Sequence, residues 1–256
     1  MMQASSKAAG FSLVELLISA AILGILLTTL ALFLNSQQKV TTEQISQVTL
    51  TNAAKLSLER MQDIVAQANY IFPAGQTISL NNPGQGKNLS IVTGSRTLAV
   101  LIPNGTSYCQ LTDLTAKRYC GFLWTIEGRG EYLSFLGNHA VGSDYALIEY
   151  KVMDLSWAQF KNPAVELANW TASPTTVSPV VDGVDLATSS LAAETNLTLA
   201  TVTANFDGDT FKAKGSGKKA SDVDGLVSTV EPSLTLMAKN GAKTFSAKRS
   251  VVMFAR

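Results

Sequence analysis

The chain has 256 residues, of which 46% are apolar and 15% charged, and its formal net charge is +1. That apolar content is too high for a disordered tail, and the length suits one domain with an anchor or two small domains. The near-zero net charge gives no general reason to expect nucleic acid or an anionic membrane surface as a partner.

An uncharged segment near the start of the chain predicts a membrane anchor. Residues 16–34 contain no charged side chain, and as a helix these nineteen residues span about 28 Å, enough for the core of a bilayer. A secretory signal peptide fits less well, because Lys7 is the only basic residue ahead of the run and no Ala-x-Ala cleavage site follows it. A plain single-pass anchor accounts for everything here except Glu15.

Glu15 stands at the start of this apolar run, where a carboxylate is costly unless it is paired or lies at the interface. Cleavage between Gly10 and Phe11 would create a new amino terminus four residues before Glu15, and positions i and i+4 share a helix face. The amino terminus of a neighbouring, staggered subunit would serve equally well. Glu15 then becomes a docking group that sets register, as single buried polar residues do in coiled coils.

The sequence Gly10-Phe11-Ser12-Leu13-Val14-Glu15, followed by the apolar run, resembles the type IV prepilin signature. The resemblance implies that residues 1–10 are a leader removed by prepilin peptidase and that Phe11 is then N-methylated. It also implies that Glu15 guides assembly with other major and minor pilins. The expected location is the inner membrane, crossed once with the head in the periplasm, and then a pilus or a periplasmic pseudopilus.

The apolar helix is predicted to continue as an amphipathic one. Residues 11–34 form the transmembrane and filament-core part, and residues 35–72 form the amphipathic part, so that the helix runs from about Phe11 to Ile71. Pro73 and Gly75 then stop it. One helical face carries apolar residues at spacings of three and four: Leu50, Ala54, Leu58, Met61, Val65 and Ala68.

Residues 73–256 are predicted to form a β-rich globular head. A turn is expected at residues 81–84, and residues 89–92 and 97–102 are predicted to form a hairpin. Residues 170–179 are interpreted as a loop or linker, and residues 180–203 as short helix or strand. The further predicted strands are residues 122–126, 132–136, 146–155, 233–238 and 244–254, with a turn at Asn240-Gly241 between the last two.

A long N-terminal helix packed on an antiparallel sheet head is an α+β arrangement that resembles the type IV pilin fold. Major pilins of that family usually carry a proline some twenty residues into the mature helix, where this chain has Leu30-Ala31-Leu32-Phe33. That departure and the large head favour a low-abundance, PilW-like minor pilin or a J-type pseudopilin. The alternatives are a pseudopilin of a type II secretion or competence system, and a filament-tip module that binds DNA or a surface.

Two cysteines, Cys109 and Cys120, lie eleven residues apart in a loop-like stretch. A metal site would need more ligands. In an exported protein a disulfide is the favoured interpretation, and in a cytosolic one they are ordinary thiols.

An acidic stretch near residue 222 resembles part of a calcium-binding loop. Asp222, Asp224 and Glu231 match three ligand positions of an EF-hand, but Ala220 stands at the first position and cannot ligate. A solvated acidic turn is the alternative. No other cofactor is expected.

A basic group lies just before this acidic stretch in the sequence and suggests a weak nucleic-acid contact. Flexible basic loops bind DNA phosphates in a salt-dependent way, although a solvated loop is the simpler interpretation. The group comprises Lys212, Lys214, Lys218 and Lys219. The sole histidine, His139, has no catalytic partners in the sequence and is interpreted as a turn residue. No enzymatic activity is expected.

Overall fold

The computed structural model describes residues 12–68, 70–72, 74–82, 87–112, 118–138, 141–156, 170–171, 173–191, 204–207, 210–213, 229–240 and 243–254. Two helices lie among them, α1 (Leu13–Val65) and α2 (Leu133–Leu136), the second preceded by a 3-10 turn at Arg129–Tyr132. The strands are β1 (Tyr70–Ile71), β2 (Thr77–Asn82), β3 (Lys87–Val92), β4 (Thr97–Pro103), β5 (Arg118–Gly128), β6 (Tyr145–Ser156), β7 (Thr175–Asp182), β8 (Ala204–Asp207), β9 (Thr210–Ala213), β10 (Thr229–Val230), β11 (Ser233–Asn240), β12 (Lys243–Ser250) and β13 (Met253–Phe254).

The chain divides into two compact units, residues 1–46 and residues 47–256. In the second unit, the last part of α1 packs on a five-stranded antiparallel sheet of order β1-β4-β5-β6-β7. This is the α+β architecture expected from the sequence. The predicted apolar face of the helix is confirmed, since all six of its residues are buried: Leu50, Ala54, Leu58, Met61, Val65 and Ala68.

The helix ends at Val65, so the prediction that it continues to Ile71 was wrong. Tyr70 and Ile71 form β1 instead and pair with Leu101 and Val100 of β4. The Phe72 backbone N–H continues this pairing by donating to the Ala99 carbonyl at 2.9 Å. The backbone N–H and C=O groups of these residues are thus hydrogen-bonded in the sheet and not in a longer helix. The local sequence does not reveal which of the two structures will form.

Both faces of the five-stranded sheet are covered. One face carries Leu98, Val100 and Trp124 and packs against the buried stripe of α1 and against β11. The other carries Leu123 and Tyr150 and packs against other buried side chains, which include Phe72, Ile78, Leu80 and Trp170. The strand predicted at residues 146–155 is confirmed as β6, in which Leu147 faces the first core while Ile148, Tyr150 and Val152 face the second. The head therefore has two cores that share one sheet.

The predicted pairing of residues 89–92 with residues 97–102 was wrong, although both segments are strands. β3 pairs with β2, whereas β4 lies between β1 and β5. A tight turn does reverse the chain, with reciprocal backbone hydrogen bonds between Gly94 and Thr97 at 2.9 and 3.0 Å. The run in β4 is buried along nearly its whole length, so it needs a partner strand on each side and a packed layer on each face.

Two other sequence predictions failed. Residues 132–136, predicted as a strand, form the end of the 3-10 turn and α2, because Tyr132 alone is buried while Leu133 and Phe135 are exposed. Residues 170–179 were interpreted as a loop or linker, but those from Thr175 onward belong to β7, which is the edge strand of the large sheet. Pro179 is tolerated there because an edge strand has one unpaired side, and the β6–β7 register shifts beside it.

The hairpin predicted around Asn240-Gly241 is confirmed as β11 paired with β12. The predicted strand 244–254 is divided, however, because β13 leaves β12 and pairs with β10. The inner edge of β11 lies against Gly183, whose φ of +71° favours glycine and whose Cβ, if present, would lie 2.5 Å from the Met237 carbonyl oxygen. This close approach places the hairpin beside the large sheet.

Candidate functional site

The first turn of α1 is organised around Ser12. The Glu15 backbone N–H donates to Ser12 Oγ at 3.2 Å, and the Leu16 N–H donates to the Ser12 carbonyl oxygen at 3.2 Å. Ser12 and Glu15 have the Ser-x-x-Glu spacing of a capping box, a signal that the sequence contains and that our sequence analysis missed. Glu15 is exposed, and no ion pair involving it occurs within the described ranges. Gly10 and Phe11 lie outside the described residues.

Residues 13–34 of α1 present an apolar surface on every side of the helix. The large apolar side chains between Leu13 and Leu34 are 52% to 75% exposed. The most apolar window of α1 has a mean hydropathy of 2.5 and no buried residue, so this helix is long and apolar enough to cross a membrane. Such a surface would be unstable in water, and it indicates burial in lipid or among other apolar helices.

The hydroxyl groups within this segment are bonded to its own backbone. Ser19 Oγ donates to the Glu15 carbonyl at 2.8 Å, Thr28 Oγ1 to the Gly24 carbonyl at 2.8 Å, and Thr29 Oγ1 to the Leu26 carbonyl at 2.9 Å. These bonds satisfy the polar groups without water, as a lipid environment requires. Among the described residues of this segment, Glu15 is then the one polar side chain available to bind a group outside its own helix.

A family model for the prokaryotic N-terminal methylation motif matches residues 5–31. No curated protein and no solved structure matches the chain. The motif match includes Glu15 and most of the exposed apolar segment, and it supports a type IV prepilin-like protein. The motif supports a pilin- or pseudopilin-like subunit and implies processing by prepilin peptidase and assembly with other pilins, and the length and apolar composition of α1 indicate a membrane anchor.

In the second unit, one ionic cluster attaches the helix to the sheet. Arg60 of α1 donates two hydrogen bonds to the Glu149 carboxylate of β6, from Nε at 3.0 Å and from Nη2 at 2.6 Å. Trp124 Nε1 donates to the same carboxylate at 2.9 Å. Hydrogen bonding to Glu149 raises the pKa of Arg60. The Glu149 side chain is only 4% exposed, so these three donors replace its water.

A second cluster is centred on Glu127, near the end of β5. Tyr132 Oη donates to Glu127 Oε2 at 2.5 Å, and Tyr150 Oη lies 3.1 Å from Glu127 Oε1 and 2.6 Å from Tyr132 Oη. Burial raises the pKa of Glu127, and the hydrogen bonds from the two tyrosines oppose that rise. The pKa of Tyr150 is also raised, chiefly by burial and then by the Glu127 charge. The cluster fixes the 3-10 turn against the sheet.

The raised pKa of Glu127 makes folding stability depend on pH. The folded chain binds this proton more tightly than the unfolded chain, so the contribution is fully present below the ordinary value of 4.5 and is lost as pH rises through the raised pKa. We expect Glu127→Gln, which keeps one acceptor oxygen for the tyrosine hydroxyls but cannot titrate, to reduce the loss of stability over that range. Urea unfolding of the full chain at a series of pH values measures this, and Glu59→Gln, at an exposed carboxylate, is the control. Identical pH profiles for wild type and Glu127→Gln would contradict it.

The structure joins Cys109 and Cys120 by a disulfide, and both residues are fully buried. Asn104 organises the loop that leads into it, since its Oδ1 accepts the backbone N–H groups of Gly105 and Leu111, each at 2.8 Å. Ser107 of the same loop donates to Gln67 Oε1 at 2.9 Å, just beyond the end of α1. The disulfide therefore holds a loop that contacts the end of the helix.

Removal of the disulfide by the double substitution Cys109→Ser and Cys120→Ser is expected to lower the free energy of unfolding by about 3 kcal/mol, because the unfolded chain regains the freedom of the short loop. Urea unfolding in detergent micelles measures the difference. Wild type unfolded with a reductant present should match the variant. A variant as stable as the oxidised wild type would contradict the prediction.

The remaining predicted sites are largely outside the described residues. Asp222 and Asp224 lie there, as do His139 and three of the four lysines, Lys214, Lys218 and Lys219. Glu231 is described and exposed, and no group of three metal-ligating side chains occurs in the described part of the chain. Lys212 lies in β9. Sequence reasoning missed the Arg60–Glu149 pair, whose members lie 89 residues apart.

Proposed function

We propose that the chain is a low-abundance subunit of a type IV pilus, which primes, caps or decorates the filament and has no catalytic activity of its own. The exposed apolar segment of α1 headed by Glu15 carries this proposal, because it offers a surface for a bundle of like helices while residues 47–256 have cores of their own. The segment would sit in the inner membrane with the head on the periplasmic side before assembly.

The course of α1 supports a minor over a major role. The helix passes through residues 30–33 without interruption, where major pilins of this family usually carry a proline. A subunit without that break fits a site of limited occupancy better than the repeating shaft. The alternative within the same class is a pseudopilin of a type II secretion or competence system, which would use the same helix.

Mass spectrometry of filaments sheared from native cells tests the proposal. We expect a small, reproducible amount relative to the major subunit, beginning at methylated Phe11. Processed protein that stays in membranes and is absent from filaments would instead indicate a periplasmic pseudopilus. An abundance equal to that of the main subunit would contradict a minor role.

A role of the head in DNA uptake or adhesion is a further part of the proposal and rests on the sequence of the basic group Lys212, Lys214, Lys218 and Lys219. Salt-dependent binding of duplex DNA to the full chain in detergent, lost when these lysines are replaced with glutamine, would support it. Binding unchanged by those substitutions would exclude this group as the contact.

A further inference from the structure

The outer edge of β12 is an unpaired strand edge within the described part of the structure. In an antiparallel ladder, residues alternate between bonding to the partner strand and pointing away from it. The Val251 N–H donates to the Pro232 carbonyl at 3.2 Å, just past the end of β12, which sets this alternation. Odd-numbered residues of β12 therefore bond to β11. The residues that direct their backbone N–H and C=O groups outward are Thr244, Ser246, Lys248 and Ser250.

The opposite edge of the hairpin confirms this alternation. On β11, the Thr235 carbonyl accepts the Asp185 N–H at 2.8 Å, and the Met237 N–H donates to the Gly183 carbonyl at 2.7 Å. Ser233 exchanges both backbone bonds with Ser190. The inner edge of the hairpin is thus occupied by residues 183–190. No strand pairs with its outer edge among the described residues, and the four outward-directed residues of β12 are exposed.

The backbone of this edge lacks the proline and the register shift that disrupt strand addition at β7. β7, the edge of the large sheet, contains Pro179 and a register shift, which disrupt a second ladder. β12 contains eight residues with no proline, and its pairing with β11 runs without a shift. As far as the described residues extend, its regular backbone is therefore open to a further strand.

Charge indicates which strand would fit. β12 carries three basic residues, Lys243, Lys248 and Arg249, and no acidic one, and β11 adds Lys239. Pairing of β12 with β12 of a second copy would bring these like charges together, which is destabilising across a ladder. An acidic strand would instead place carboxylates opposite Lys248 and Arg249, both of which are exposed.

We propose that β12 is a docking edge for an extended, acidic segment of another protein chain, which adds to the β11–β12 hairpin as a third strand. Backbone hydrogen bonds to the outward-directed residues supply binding, and the basic side chains select for Asp and Glu. The inference is independent of the proposed role in a pilus, because it concerns residues 233–250 alone.

The test uses the full chain in detergent micelles and two fluorescent peptides of equal length, one alternating threonine with glutamate and one alternating threonine with lysine. We expect the glutamate peptide to bind, more weakly as salt increases, and the lysine peptide not to bind. Amide hydrogen exchange of β12 should slow when the glutamate peptide is bound. Equal binding of the two peptides, or protection elsewhere in the head, would overturn the proposal.

Two variants locate the contact. Ser246→Pro removes an outward-directed N–H group and leaves the hydrogen bonds to β11 in place. It should lower the affinity for the glutamate peptide about tenfold, which is the effect of one lost hydrogen bond. Ser246→Ala is its control. Lys248→Glu combined with Arg249→Glu should reverse the binding preference, so that the lysine peptide binds and the glutamate peptide does not. This variant tests the proposal even if Ser246→Pro does not fold. Unchanged affinity in both variants, or self-association of the wild-type chain through β12 in place of peptide binding, would contradict the proposal.

Discussion

Glu15→Val is expected to lower incorporation of the chain into filaments by about tenfold or more, while removal of the leader between Gly10 and Phe11 continues. Pairing of the Glu15 carboxylate with the amino terminus of a processed subunit is a charge-assisted interaction, worth roughly 1.5–3 kcal/mol in an environment with little water. Each 1.4 kcal/mol corresponds to about tenfold in an equilibrium. The ratio of the chain in filaments to the chain in membranes, measured by quantitative mass spectrometry, gives the effect.

The control for this experiment is Ser19→Ala. Its hydroxyl lies in the same apolar segment and donates to the Glu15 carbonyl, so the substitution removes a polar group without removing the charge. We expect near-normal incorporation for Ser19→Ala and an intermediate value for Glu15→Asp, which keeps the charge on a shorter side chain. Normal incorporation of Glu15→Val would show that the carboxylate does not guide assembly.

Arg60→Met is expected to lower the free energy of unfolding by about 3 kcal/mol. The substitution keeps most of the apolar stem but leaves the Glu149 carboxylate buried with Trp124 as its remaining donor, and breaking a buried pair typically costs about 3–5 kcal/mol. Half of the Arg60 side chain is exposed, which places the effect at the low end of that range. Urea unfolding of the full chain in detergent measures it.

A double substitution separates loss of the pair from loss of packing. Glu149→Gln added to Arg60→Met removes the buried charge and keeps an acceptor for Trp124, so about half of the lost stability should return. Lys55→Ala is the control on the same helix. Its ion pair with Glu59 is exposed at both ends, and its loss should change stability by about 0.5 kcal/mol at most. Equal effects of Arg60→Met and Lys55→Ala would refute the assignment.

The elements that the sequence predicts well are those that carry a local signal. The uncharged run, the three-and-four spacing from Leu50 to Ala68 and the Asn240-Gly241 turn are each visible in a short window. Pairing of β4 with β1 and β5 depends instead on segments far apart in the chain, as does the end of α1 at Val65. Competition between distant partners for the same backbone groups leaves no local pattern.

The side-chain clusters around Glu149 and Glu127 could not be predicted from the sequence, because they too depend on segments that only the fold brings together. Glu149 occupies one position in an alternating strand, and alternation alone suggests a solvent-facing acid. Its burial follows from the helix that crosses that face, which brings Arg60 from 89 residues away. Ser12 is the opposite case, because its spacing to Glu15 is a local signal that a search for helix caps would have found.

The double hydrogen bond between Arg60 and Glu149 has a consequence for orientation. A helix turns by about 100° per residue, so a rotation of the helix by one residue position about its axis would carry Arg60 away from β6. Within residues 47–65 the pair adds to the buried apolar face in fixing the rotation of the helix about its axis. It thus helps to set the side on which Val48 and Leu56, 58% and 65% exposed, face outward. The Glu149 carboxylate, together with the buried apolar face, thereby determines which side of the helix any neighbour meets.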